Sequence, residues 1–74
     1  MYDRTQLVSA AERKGDTRRG RVSAAAVGRR LGVPPNTAWR LLNGVTAPSG
    51  PVVAAVERHY GVKARHLLIR KASA

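Results

Sequence analysis

An all-α fold, a compact bundle of five short helices, is what this sequence predicts, and three observations carry the prediction. Apolar residues recur at helical spacing in five separate stretches. Gly15, Gly32, Gly44 and Gly61 close the first four of them, as helix-ending glycines do. No stretch of useful length alternates apolar with polar residues as a strand would. With 74 residues and no cysteine, the chain holds one small domain whose core closes by helix packing, without disulfides or thiolate metal sites. Residues 1–71 are read as that domain and residues 72–74 as a frayed tail.

The first helix, residues 4–14, opens on Asp3 and Gln6, which have the spacing of a capping box, and turns Leu7, Ala10 and Ala11 inward before Gly15. Residues 15–21, GDTRRGR, have no apolar periodicity and read as an exposed basic loop, either solvated or an arm for phosphate or the minor groove. Ser23 caps the second helix, whose inward stripe is Ala24, Val27, Gly28 and Leu31, with Arg29 and Arg30 outward. Gly28 costs about 1 kcal/mol relative to alanine inside a helix, so its presence predicts a close approach of another backbone.

Gly32 ends that helix in a left-handed turn, and Pro34 with Pro35 starts the third, where their missing N–H groups would be unpaired anyway. Asn43 and Gly44 stop it, and residues 45–50 form a turn. Pro51 opens the fourth helix behind Ser49 as its cap, with Val52, Val53, Val56 and Tyr60 as the inward stripe and Gly61 as its end. The fifth helix spans residues 64–71 and offers Ala64, Leu67 and Leu68 to the core.

Composition narrows the function. Fourteen Lys plus Arg against four Asp plus Glu give a formal charge of +10, so the natural partner is a polyanion, with nucleic acid ahead of acidic membrane. No apolar run is long enough to cross a bilayer, and the N-terminus lacks the apolar stretch of a signal peptide, so a cytoplasmic, nucleoid-associated location is expected. The four acids are scattered, His59 and His66 stand apart from any ligand cluster, and no glycine-rich phosphate loop has the required spacing. Neither catalytic residues nor a metal, cofactor or small-molecule ligand is expected.

Residues 22–44 describe two amphipathic helices hinged at Gly32 and Val33, the outline of a helix-turn-helix. On a helical wheel Ala38, Leu41, Leu42 and Val45 share one side of the second of these, and Asn36, Trp39, Arg40 and Asn43 the other. Such a helix, held by its aliphatic side, suits the major groove. There Arg40 can fork onto guanine and Asn36 onto adenine, each contact giving about 1–3 kcal/mol of discrimination. Trp39 has one donor and no acceptor, so its ring is expected against a thymine methyl, sugar or backbone. Arg18, Arg19, Arg21, Arg29 and Arg30 are expected to neutralise phosphates.

Residues 22–68 resemble the Cro/C1-type (XRE-like) helix-turn-helix domain of phage repressors and small bacterial regulators. The resemblance rests on Ser23, Gly28, Leu31-Gly32-Val33, Leu41, Asn43-Gly44, Pro48-Ser49, Tyr60-Gly61-Val62 and Leu67-Leu68 in that order. It implies a lambda-repressor-like fold, base contacts from Pro35, Asn36 and Arg40, and phosphate contacts from Thr37 and Asn43; Ser23, at the start of the second helix, is likewise expected to contact phosphate. It further implies a double-stranded DNA-binding transcriptional regulator, most simply a repressor, acting as a homodimer on an inverted repeat. The dimer contacts would come from the fifth helix around Ile69 or from the Val45 turn. The chain departs from the pattern at Pro34-Pro35, at Glu57 where a small apolar residue is usual, at Lys63 where a Ser or Thr cap is usual, and in the longer connection at residues 15–21. Two other readings stay open. One is an antitoxin or anti-activator that masks a partner protein and also autoregulates; the other is a non-specific nucleic-acid binder, although Tyr2, Trp39 and Tyr60 are few for base stacking.

Overall fold

The computed structural model describes residues 1–68; Ile69 and the expected tail lie outside them. Along the chain run α1 (Arg4–Arg13), β1 (Thr17–Arg18), β2 (Arg21–Val22), α2 (Ala24–Leu31), α3 (Pro35–Leu42), α4 (Gly50–Tyr60) and α5 (Ala64–Leu67). The five expected helices are present in order, and the molecule is mostly helical. The expectation of an all-α fold is corrected by the hairpin of β1 and β2.

Asp3 caps α1, its side chain accepting from the Thr5 N–H at 3.1 Å. At the other end Gly15, with φ 77, turns the chain so that its N–H reaches the Glu12 carbonyl at 3.1 Å and the Asp16 N–H reaches Ala11 at 2.9 Å. This paired closure satisfies two orphan carbonyls and delivers Asp16 into the protein. The basic segment that follows pairs with itself, Thr17 opposite Val22 and Arg18 opposite Arg21. Its two-residue turn, Arg19 and Gly20, has φ 54 and 77, the left-handed geometry that matches strand twist. Strands of two residues are too short to show a period, and Arg-Gly is not among the dipeptides that announce such a turn.

α2 and α3 pack on each other more extensively than any other pair of elements. Gly28 permits it. A Cβ there would lie 2.7 Å from the Val33 carbonyl oxygen, and the Val33 N–H donates to the Gly28 carbonyl at 2.9 Å, so the turn folds directly over the glycine backbone as expected. Leu7, Ala10 and Ala11 of α1, Val27 and Leu31 of α2, Ala38, Leu41 and Leu42 of α3, and Val53, Val56 and Tyr60 of α4 form one core, closed by Val62 and Leu67.

Two inward placements are corrected, while Ala24, Val52 and Leu68 pack half-buried against the core. Ala64 is exposed. Val45, expected beside Leu41 and Leu42, is 61% exposed because Gly44, at φ 72, ends α3 and carries the next residue out of helical phase. Ser49 occupies the cap position of α4, but its side chain makes no capping hydrogen bond. Glu57 is exposed, so this departure from the usual apolar residue places no charge in the core. α5 is a single turn. Leu68 leaves it and pairs in an antiparallel bridge with Tyr2, while the Asp3 N–H donates to the Leu67 carbonyl at 2.8 Å.

Candidate nucleic-acid interface

α3 begins without a side-chain cap: Pro34 is extended, at φ −61 and ψ 152, and Pro35 enters the first turn with its φ already suited to a helix. One face of the helix is sealed, with Ala38, Leu41 and Leu42 buried. The opposite face presents Asn36, Arg40 and Trp39, the last 54% exposed; Pro35 is exposed in the first turn, and Thr37 lies half-buried at the border. Asn43 is exposed at the C-cap, where its Nδ2 donates to the Trp39 carbonyl at 2.8 Å. The four residues expected to meet bases are therefore all exposed, three of them on the face turned away from the core.

Beside this helix, Ser23 caps α2, its Oγ accepting from the Ala26 N–H at 3.2 Å. Arg18, Arg19 and Arg21 are exposed and line one open cleft together with Ser23. Arg29 is exposed along a second cleft that it shares with Asp16, Ala26 and Arg30.

Arg30, expected outward and facing phosphate, is half-exposed and is engaged by groups of the protein itself. Its Nε and Nη2 donate to Asp16 Oδ2 and Oδ1 at 2.6 and 2.9 Å, and its guanidinium stands 5.5 Å from the centre of the Tyr60 ring. The Tyr60 hydroxyl also donates to Asp16 Oδ2, at 2.6 Å. The reason is local: Gly15 turns Asp16 inward, and a carboxylate that is only 8% exposed requires a cation. The Arg30 hydrogen bonds hold the Asp16 carboxyl below the usual carboxylate range, and burial pushes the Tyr60 hydroxyl upward, with the hydrogen bond to Asp16 adding to it. Tyr60 is in the core, as its place on the α4 stripe predicts.

A family model described as a helix-turn-helix domain matches residues 6–68. The chain belongs to the helix-turn-helix domain family. The match includes α2, the Gly32 turn and α3, and it agrees with the XRE-like resemblance read from the residues. DNA binding follows for the helix-turn-helix domain as a family property. No curated protein and no solved structure matches the chain. Among the described residues no helix is long and apolar enough to cross a membrane.

Two residues that sequence reasoning did not single out hold the end of α3. The Tyr2 hydroxyl donates to the Leu41 carbonyl at 2.7 Å, and Arg4 Nη1 donates to the Leu42 carbonyl at 3.2 Å. Both acceptors belong to the last turn of α3, where carbonyls lack helical partners and a cation is favoured by the helix dipole. Burial pushes the Tyr2 hydroxyl up to about 12. No spacing rule connects residue 2 to residue 41. The only sequence signal was an aromatic residue with a polar tip placed just before a helix cap.

Proposed function

We propose that this helix-turn-helix domain reads specific sequences in double-stranded DNA as a transcriptional regulator, most simply a repressor that occludes a promoter. The observation that carries the reading is the division of α3: aliphatic residues sealed in the core on one face, Asn36, Trp39 and Arg40 exposed on the other. On this reading Arg40 pairs with guanine, Asn36 with adenine, and Pro35 and Trp39 make apolar contacts with thymine methyl or sugar groups. Ser23, Thr37, Asn43, Arg18, Arg21 and Arg29 hold phosphates. The five helices take the lambda-repressor-like arrangement. One recognition helix buries too little surface to select a site in a genome, so the domain acts as a homodimer on an inverted repeat with half-sites about 34 Å apart. The exposed Val45 in the turn after α3 supplies an apolar contact for that pairing.

Selection of bound duplexes from a random pool tests this, with recovery of a two-fold symmetric site as the expected result. On the selected site, Arg40→Ala is expected to lose about 1–3 kcal/mol of discrimination at particular base pairs. Arg29→Ala is expected to weaken all duplexes alike and to reduce the salt slope by about 0.9. Equal loss on selected and random DNA for Arg40→Ala would remove it from the role of reader.

A further inference from the structure

The hairpin between α1 and α2 carries two local costs within four residues. Arg18 and Arg21 are partners directly across the strands, so like charges face each other where an opposite pair would stabilise the ribbon. At the tip Arg19 has φ 54, a left-handed conformation that Asn, Asp or Gly adopts more readily, and it is the one non-glycine residue there among those described. Among the described residues none forms an ion pair with these arginines. Arg18, Arg19 and Arg21 are exposed, and the neighbouring acid, Asp16, is engaged by Arg30 and Tyr60.

The ribbon is nonetheless firmly set. The Asp16 N–H bonds to the Ala11 carbonyl, the Ser23 N–H bonds to the Asp16 carbonyl, both at 2.9 Å, and Ser23 itself caps α2. The hairpin therefore enters the helix-turn-helix without a free linker. A pre-set ribbon with uncompensated positive charge is stabilised by a polyanion, and a two-residue tip with one long cationic side chain suits a narrow groove better than a flat surface.

We propose that the hairpin is a second DNA-binding element: Arg18 and Arg21 meet the phosphates, and Arg19 enters the minor groove beside the site that α3 reads. The inference rests on the DNA reading above and adds a preference outside the α3 site. Flanking A·T tracts are favoured, because their narrow minor groove concentrates negative potential.

Arg19→Asn in the full chain tests it, on selected duplexes whose flanks are either A·T tracts or G·C. Asparagine tolerates the left-handed tip, so the variant is expected to melt at the same or a higher temperature, which separates its effect from a folding defect. It is expected to lose affinity severalfold on A·T flanks and little on G·C flanks, while Arg40→Ala keeps the flank preference and loses its own base pair. Equal loss on both flanks assigns the tip to phosphates and overturns minor-groove entry. No loss on either overturns the arm and leaves the α3 reading standing. If the unaltered chain selects no duplex, the DNA reading fails first and the arm with it.

Discussion

Gly28 has no room for a side chain, and the neighbour it would meet is backbone rather than a movable side chain: the Val33 carbonyl oxygen, 2.7 Å from an added Cβ. Alanine would gain about 1 kcal/mol of helix propensity at this position. Forcing the turn outward costs about 1–3 kcal/mol, as overpacking in close-packed regions generally does. The clash is expected to win, because giving way means opening the contact between α2 and α3 on which both helices rest. Gly28→Ala should therefore lower the melting temperature by several degrees, measurable by circular dichroism, and should weaken DNA binding through displacement of α3. An unchanged or raised melting temperature would show that the turn can relax. This position was legible in the sequence, since a glycine amid helix-forming neighbours weakens its helix unless a second backbone passes against it. Asp16 was not, because nothing in GDTRRGR distinguishes an inward acid from a solvated one.

At the scale of the element, α3 is fixed at both ends by different means. Its start depends on Pro34 and Pro35, which need no partner; its end depends on Tyr2 and Arg4, brought from the far end of the chain. Tyr2→Phe keeps the ring and removes the hydroxyl donor, leaving the Leu41 carbonyl to backbone donors of its own turn, such as the Gly44 N–H at 3.3 Å. A loss of about 0.5–1.5 kcal/mol is expected, the ordinary net worth of one hydrogen bond. Hydrogen exchange at the last turn of α3 should accelerate, and affinity for the selected duplex should fall while the preferred bases stay the same. A changed base preference would mean that Tyr2 touches DNA instead of positioning the helix. The helices themselves were readable from period and caps, whereas the hairpin was not: two-residue strands leave no pattern, and its register follows from the left-handed pair Arg19 and Gly20.

The whole molecule is tied together by Asp16, which reaches α2 through Arg30 and α4 through Tyr60 from the end of α1. Because Arg30 holds its folded-state pKa below the usual value of 3.8, Asp16 adds stability above about pH 4. That stability is lost as pH falls through the depressed value. The two tyrosines act at the other limb. Their folded-state pKa values are raised above the usual 10.0, so the stability they contribute is complete below about pH 10 and is lost as pH rises further, toward about 12 for Tyr2. Asp16→Asn is expected to cost about 1–3 kcal/mol at neutral pH, since Arg30 and Tyr60 lose their charged acceptor. The variant's acid limb should be flatter than that of the unaltered chain in urea titrations from about pH 2 to 7. Parallel acid limbs for the two proteins would place the acid sensitivity elsewhere.

What the sequence determined by itself is what lies within one or two helical turns: five amphipathic stretches, their glycine and proline boundaries, and a third helix with one oily and one polar side. Those features depend on neighbours three or four residues apart, so they are written in the order of the letters. Only the tertiary structure decided which polar groups would be drawn inside. Tyr2 meets Leu41 across 39 positions, Arg4 meets Leu42 across 38, and Tyr60 meets Asp16 across 44. Those pairings exist because packing the core leaves a buried carboxylate and helix-end carbonyls with acceptor capacity to spare, which are met by whichever donors the fold brings near, however far away along the chain.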